Sequence, residues 1–482
     1  MPLVCWRTWK SPVLEAENLI IAFALLRDSR IPEQPPGDSV PHDPNSRTTR
    51  IWGAYTVGIE TLSRGSQENQ PDQPEHCQDP GYQDPGHQDS DYQKPDYQQP
   101  EYQEPSADSF DELAAELLIR SRNAVDPVLR AAVDSMPESM ARIAAYHFGW
   151  READGSPVAA DSGKAIRPAM VLAAARACAA EPAVPAPRSG SGPGPGAPLA
   201  PGAVPAPGSA AVPADPARAV LAAAAAVELV HNFTLLHDDV IDRDETRRHR
   251  PTAWRVFGST EAILAGDALH SLALRTLAED AHPAAPAAMR HLAQCVVELC
   301  AGQQADCAFE QRSNVTLAEC LAMAEAKTGA LLGSACAIGA LYAGAGEEAA
   351  QAMDAFGRQI GLAFQLIDDL IGIWGDPAVT GKPAGADLLV RKKSLPVVAA
   401  LTSGTPAAAE LAEIYALDRP LTEAEVRRAA EAVERAGGRA WAQGASCERM
   451  AAAIEHLATA VPDPAAADEL LALAELVTRR NH

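Results

Sequence analysis

From Ser109 onward the chain alternates apolar and polar residues at helical spacing. The segment FDELAAELLIRSRNAVDPVLRAAV places its apolar residues three and four apart, with Ser109 predicted as N-cap and Glu112 three residues later. Ala- and Leu-rich helical patterns continue to the C-terminus, and strand signals are almost absent. The expected fold class is therefore all-α. Residues 1–70 carry no sustained period, although LIIAFALL (Leu19 to Leu26) could form a short docking helix. Residues 77–106 repeat a five-residue unit in which Gln78, Gln83, Gln88, Gln93, Gln98 and Gln103 recur, with Tyr82, Tyr92, Tyr97 and Tyr102 beside them. Proline in nearly every unit blocks helix and interior strand, so this array is expected to be extended and disordered. A second break, residues 182–216, is rich in Pro, Gly and Ala and reads as a disordered surface insertion between two helices.

The expected organisation is an N-terminal extension, 1–107, ahead of one helical domain, 108–482. Without the extension and the insertion about 340 residues remain, enough for one large helical domain. The formal charge of −24 argues against nucleic acid as a partner and against an electrostatic hold on anionic membranes. No apolar run reaches the roughly 18 residues of a spanning helix, so no transmembrane segment is expected. The nine cysteines show no CxxC spacing. Cys295, Cys300, Cys307 and Cys320 lie in apolar helical sequence and are expected to be small core residues in a reducing, cytoplasmic setting.

Two aspartate-rich segments carry the chemistry. The first, HNFTLLHDDVIDRDETRRHR, holds Asp238, Asp239 and Asp242, followed by Arg247 and Arg248. The second, FQLIDDLIGIWGDPAVTGKPAGADLLVRKKSLP, holds Gln365, Asp368 and Asp369, followed by Lys382 and Lys392. Residues four apart share a helix face, so Asp238 and Asp242 project together and need a cation between them. Hard oxygen ligands suit Mg2+, which binds a few carboxylates and keeps places for water and phosphate oxygens. Acid clusters followed by bases thus read as a magnesium–diphosphate site, the bases meeting outer phosphate oxygens.

In order along the chain, SGKAIRP, ELVHNFTLLHDDVID, QQAD, AKTG, FQLIDD and GKPAGADL with KKSLP resemble the motifs of the trans-isoprenyl diphosphate synthase (polyprenyl synthetase) family, of the actinobacterial type, across residues 108–482. The resemblance implies an isoprenoid-synthase-type helical bundle around a central cavity, and usually a homodimer. It implies that Asp238 and Asp242, with Asp239, and Asp368, with Asp369, hold about three Mg2+ ions. Arg247, Lys327, Thr328, Gln365, Lys382 and Lys392 would complete the allylic diphosphate site. Lys164, Arg167, His231 and Arg248 would hold isopentenyl diphosphate; Lys164 and Arg167, three apart, are expected on one helical face. Asp238, Asp242, Arg247, Lys327, Asp368 and Lys382 are the expected catalytic set. Phe233 and Thr234 would line the tunnel for the growing chain, with Phe233 as its floor and a product of about fifteen to twenty carbons. Gln303 and Asp306 fit a substrate contact and a helix–helix hydrogen bond about equally.

The chain departs from the family at Gly372, where the second segment usually has another aspartate; Asp376 is too far along a regular helix to replace it. Activity is expected to survive with weaker Mg2+ affinity. The implied reaction joins isopentenyl diphosphate to an allylic diphosphate. A class I terpene cyclase, or a non-catalytic partner subunit or scaffold, are the alternatives. The cyclase would not need Lys164, Arg167 and Arg248, and Gly372 alone favours the scaffold. Some enzymes resembling this one occur with encapsulin-like protein shells, and the extension is a candidate targeting segment into such a shell.

Overall fold

Helix-forming composition shows directly in the architecture. The computed structural model describes residues 107–482, except 159, 161–162, 180–219, 378–383, 462 and 479–482. The expected insertion, the tyrosine array, the Leu19–Leu26 segment and Lys382 all lie outside the described residues. Phe110–His482 forms one compact unit. Its first helices are α1 (Ala107–Asp134), α2 (Glu138–His147), α3 (Ile166–Ala177) and α4 (Leu221–Ile241). A short hairpin, β1 (Thr246–Arg247) paired antiparallel with β2 (Arg250–Pro251), comes next. Then come α5 (Ala253–Phe257), α6 (Ser259–Ala278), α7 (Ala285–Glu310) and α8 (Leu317–Ala324). A single π-turn, Glu325–Gly329, leads into α9 (Ala330–Tyr342) and the long α10 (Glu347–Trp374). The chain closes with α11 (Ala386–Leu389), α12 (Leu395–Leu401), α13 (Pro406–Tyr415), α14 (Glu423–Arg435), α15 (Gly438–Ala460) and α16 (Pro464–Thr478). The all-α expectation holds.

Ser109 is not the cap of α1, which starts two residues earlier at Ala107; the two extra residues, Ala and Asp, tolerate the first turn. Capping boxes form instead at Thr316 with Glu319 and at Thr422 with Glu425. Of the four cysteines expected in the core, Cys295 and Cys320 are buried, Cys307 is half-buried and Cys300 is exposed. Cys300 falls on the outer face of α7, which the local apolar sequence does not reveal.

Two helices organise the interior. The helix α4 buries Ala223–Val227, Leu229, Val230, Phe233 and Leu236 and packs on α6. The helix α10 buries Met353, Phe356, Ile360, Leu366 and Leu370, lying between α9 and α15. Both carry their aspartates at the C-terminal end of an apolar helix. The approach of α10 to α9 is close because glycines face backbone: a Cβ at Gly357 would lie 2.4 Å from the Leu332 carbonyl oxygen, and one at Gly361 would lie 2.5 Å from Gly329 Cα. This contact sets the π-turn, and hence Lys327 and Thr328, against the aspartate-bearing end of α10.

Gly444, inside α15, has open space where a Cβ would go. Gly357→Ala is therefore expected to lower unfolding free energy by about 1–3 kcal/mol through overpacking, whereas Gly444→Ala should raise it by about 0.5–1 kcal/mol. Urea denaturation of the two variants checks both signs.

Candidate functional site

The last turn of α4 delivers the first acids. The Asp242 amide donates to the Asp238 carbonyl at 2.8 Å, so the helical register reaches Asp242 and both carboxylates share a face. Burial pushes Asp238 up to about 6, with the Lys327 ammonium opposing it and Asp242 adding to it. Asp242 is also raised, chiefly by burial, and feels Lys327, Asp306 and Lys392. The two acidic segments, remote in sequence, thus share one electrostatic environment.

Asp239 points the other way. It is 1 % exposed, its Oδ1 accepts from Arg247 Nε at 2.8 Å, and Arg247 Nη2 lies 2.7 Å from the same oxygen in an ion pair. Its Oδ2 is buried with no hydrogen-bond partner. The expectation of Asp239 as a ligand equal to Asp238 therefore meets an oxygen already spent on fixing a guanidinium. The reason is the tight hairpin β1–β2, which folds Arg247 back under α4.

Lys327 and Thr328 occupy the π-turn, a helical irregularity that often marks functional positions. Lys327 Nζ donates to Asp306 Oδ2 at 2.6 Å. Burial alone would lower its pKa, but Asp306 and Asp238 outweigh that and raise it, so the ammonium stays charged. Asp306 is thereby the anchor of Lys327, while Gln303 donates only to Cys307 Sγ at 3.7 Å. Thr328 Oγ1 donates to Gln365 Oε1 at 2.9 Å, and Gln365 Nε2 donates to Asp369 Oδ1 at 2.9 Å. The amide at the start of α12, Leu395, donates to Asp369 Oδ2 at 2.9 Å. Lys392 Nζ lies 3.7 Å from Asp369 Oδ1 and 3.6 Å from Asp387 Oδ2. Both oxygens of Asp369 are therefore engaged, which makes it a brace for Gln365, α12 and Lys392. Asp368, one residue earlier, lies half-buried on the neighbouring face of α10. Asp376 is exposed beyond the end of α10, which stops at Trp374.

A second, basic cluster lies beside α4. Arg167 Nη1 donates to His231 Nε2 at 3.1 Å. Arg only donates, so Nε2 accepts and the imidazole proton sits on Nδ1. Burial, with Arg167 and Arg248 next to it, holds His231 well below its ordinary pKa and therefore neutral. Arg248 lies over Gly163: a Cβ there would meet Arg248 Nη2, and Gly163 has φ +94°. Lys164 is exposed and precedes α3, whose cap Ala165 is left-handed at φ 54°. The expectation that Lys164 and Arg167 share a helical face is corrected: the left-handed turn ends the helical register between them.

Several residues of this cluster went unread in the sequence. His147 is half-buried, with its pKa lowered to about 3 by burial and then by Arg248 and Arg247. Its Nε2 makes no hydrogen bond, and it lines a small pocket with Asp239, Arg247, Arg248 and Arg250. Glu228 is buried, and burial raises its pKa, although Arg167 opposes this. Asn232 Nδ2 donates to Glu228 Oε1 at 3.1 Å. Arg122 donates to the Gly163 carbonyl. Only Glu228 and Asn232, polar residues at helical spacing within an apolar helix, left a signal that could have found them.

Phe233 and Thr234 are buried. The Phe233 ring meets His237 edge-on at 4.8 Å and lies tilted on His270 at 5.4 Å. Thr234 Oγ1 donates to the His231 carbonyl at 2.7 Å, so this side chain braces α4.

The polyprenyl synthetase family model matches residues 156–433. A geranylgeranyl diphosphate synthase of Mycobacterium tuberculosis is 45 % identical over 370 residues, covering 77 % of this chain and 95 % of its own. A (2E,6E)-farnesyl diphosphate synthase of the same organism is 41 % identical, covering 74 % and 90 %. The crystal structure of a polyprenyl synthetase from Streptomyces coelicolor A3(2) superimposes with a TM-score of 0.65 at 41 % identity, covering 75 % of this chain and 98 % of that one. With two acidic helix ends in one field, a basic rim and these relatives, the chain belongs to the polyprenyl synthetase family, the trans-isoprenyl diphosphate synthases.

Proposed function

We propose that this enzyme condenses isopentenyl diphosphate with an allylic diphosphate to give a short-chain product of about fifteen to twenty carbons, and that Asp238, Asp242 and Asp368 face the Mg2+ that this needs. The observation that carries the reading is the shared field of the two acidic segments: Asp238 and Asp242, on α4, respond to Lys327, and Asp242 also to Lys392 beside α10. The donor set fits a hard divalent cation. It is all carboxylate, with Asp238 pushed up to about 6 and Asp242 raised beside it. Among the described residues no three acid, imidazole or thiol side chains converge closely enough to hold a metal alone. A divalent ion held by these few carboxylates would complete its shell with water and diphosphate oxygens. When bound, Mg2+ would neutralise charge on a departing diphosphate.

The chain's own residues then divide the work. Lys327, held by Asp306, and Lys392, held by Asp369, present fixed ammonium groups to phosphate oxygens, and Arg247 is set by Asp239. Lys382, from the sequence pattern, joins this set. Arg167, Arg248 and Lys164, with neutral His231 accepting from Arg167, form the basic pocket for isopentenyl diphosphate. Two separate basic regions favour a two-substrate condensation over a cyclase, which needs one. Phe233, buried just over one turn before Asp238, blocks chain growth along α4. A homodimer of the family's kind, a cytoplasmic setting and docking of residues 1–107 to an encapsulin-like shell complete the proposal.

Incubation with Mg2+, isopentenyl diphosphate and dimethylallyl, geranyl or farnesyl diphosphate, with products read by mass spectrometry, tests the reaction. A longer diphosphate ester is expected; a hydrocarbon or alcohol would establish the cyclase, and no product the scaffold. Asp238→Asn should lower kcat at least about a hundredfold, an effect of the size seen when preorganised charge stabilisation is lost, and Phe233→Ala should lengthen the product.

Protons compete with the metal for Asp238, which stands at about 6. Mg2+ affinity, read by calorimetry, should therefore be about tenfold or more weaker at pH 5 than at pH 7.5. Without metal the sign reverses: a carboxylate raised on folding favours the folded state below its unfolded pKa, and that contribution fades as pH rises through 6. Added Mg2+ should thus raise the melting temperature more at pH 7.5 than at pH 5. For the extension, a shell protein should co-purify with full-length chain and not with a chain starting at Ser106; equal recovery rejects the docking.

A further inference from the structure

The hairpin β1–β2 closes through only two residues, because Arg247 pairs with Arg250. Both of them, Arg248 and His249, are left-handed, at φ 51° and 60°. Such a turn is usually made by Asn and Gly, and a larger side chain is strained there. Contacts outside the turn must therefore hold it. Arg250 supplies them. Its Nη1 donates to the Tyr146 carbonyl at 2.9 Å, and its Nη2 donates to the Arg151 carbonyl at 3.2 Å and to Glu152 Oε2 at 2.9 Å. The guanidinium also stacks over the Tyr146 ring at 4.3 Å, and the Tyr146 hydroxyl donates to the Pro251 carbonyl at 2.8 Å. Arg151 and Glu152 open a second tight turn, closed by the bridge Arg151–Pro157 and by the Glu152 amide donating to the Ser156 carbonyl at 2.8 Å. The chain then runs on to Gly163 and Lys164. Arg248 lies over that Gly163. Arg250 thus ties the hairpin that carries Arg248 to the turn that precedes the other wall of the basic pocket.

We propose that Arg250 is a positioning residue for isopentenyl diphosphate: without touching it, Arg250 braces the two loops that bring Arg248 and Gly163 to the basic pocket. The proposal rests on the reading of that pocket as the isopentenyl diphosphate site. Arg250 is built as a brace and not as a phosphate ligand. Its donors are spent on two carbonyls and a carboxylate, Glu152 balances its charge, and its plane is held on the Tyr146 ring. A lysine at this position would keep the charge and lose both the fork and the stacking, so the two residues are not interchangeable here. Arg247, in the same hairpin, is also gripped by Asp239. Loss of Arg250 should therefore disturb Arg248 more than Arg247, and isopentenyl diphosphate more than the allylic substrate.

The test uses Arg250→Gln, Arg250→Lys and Glu152→Gln in the full-length chain. Glu152→Gln leaves the hairpin itself intact and carries the test if the arginine variants fold poorly. Binding of isopentenyl diphosphate is measured by calorimetry, and kcat and the KM of each substrate by turnover, all well below the melting temperature. Arg250→Gln should weaken isopentenyl diphosphate binding and raise its KM about tenfold, with the allylic KM and kcat changed by less than about threefold. Glu152→Gln should weaken the same binding about threefold, as loss of a partly exposed ion pair allows. The double variant Arg250→Gln with Glu152→Gln should bind no worse than Arg250→Gln alone, since the two residues form one brace. Arg250→Lys should stay within about threefold of Arg250→Gln. Parental binding by Glu152→Gln, an equal rise in both KM values, or recovery of parental binding by Arg250→Lys would overturn the proposal. Parental protein that binds no isopentenyl diphosphate rejects the reading of the pocket. Melting then decides the brace by itself: the losses from Arg250→Gln and Glu152→Gln should be coupled, and strictly additive losses would remove it.

Discussion

Carboxylates brought together in a partly buried cleft repel one another, and every element around this site can be understood as an answer to that repulsion. Burial raises Asp238, Asp239, Asp242 and Asp369 together. Uncompensated, such a face would hold protons instead of a metal. The chain distributes cations between the acids: Arg247 beneath Asp239, Lys327 between Asp306 and Asp238, Lys392 between Asp369 and Asp387. Asp238, Asp242 and Asp368 are the acids that the proposed reaction gives to the metal. Other acids are thus consumed in fixing bases, and those fixed bases are what a diphosphate would meet. A carboxylate that holds a lysine still contributes to anion binding as surely as one that would hold a metal, because a preorganised ammonium needs no reordering when the ligand arrives.

This arrangement depends on backbone proximity that side chains could not supply. Gly357 and Gly361 let α10 sit against α9 and the π-turn, and the π-turn directs Lys327 and Thr328 toward the acids. One extra residue in a helical turn rotates the residues after it far enough to change faces. Here it allows Lys327 to reach Asp306 while Thr328, its neighbour, reaches Gln365. Packing of the apolar helix and placement of the charged rim are therefore one event.

How much of this could be read from the chain alone depends on how local each feature is. Asp238 and Asp242 were legible because one helical turn joins them and the same apolar helix carries them. The nearness of Arg167 to His231 was implied by the family resemblance of their two motifs. What escaped depended on contacts between distant segments or on single backbone angles. Asp239 looks identical to Asp238 in sequence, and only the hairpin returning Arg247 beneath α4 turns it inward. Lys164 and Arg167 have helical spacing, yet the left-handed Ala165 between them ends the register. His147 carries no motif, being the last residue of the ordinary helix α2, and gains its meaning from the two arginines folded near it. Ser109 had the right chemistry for a cap, but two residues that tolerate helix precede it.

Gly372 shows the same principle from the opposite side. Counted along one helix, the motif lacks an acid. Counted in space, the Asp387 carboxylate lies where a Cβ at 372 would begin, 3.6 Å from the Lys392 ammonium. A helical motif read by spacing assumes that its members share a helix. What the chemistry requires is a charge at a place, and any element that can reach that place satisfies it. A side chain at 372 would meet the Asp387 carboxylate, one of the two acidic groups beside Lys392, so the packing of this helix end and the placement of that lysine are linked.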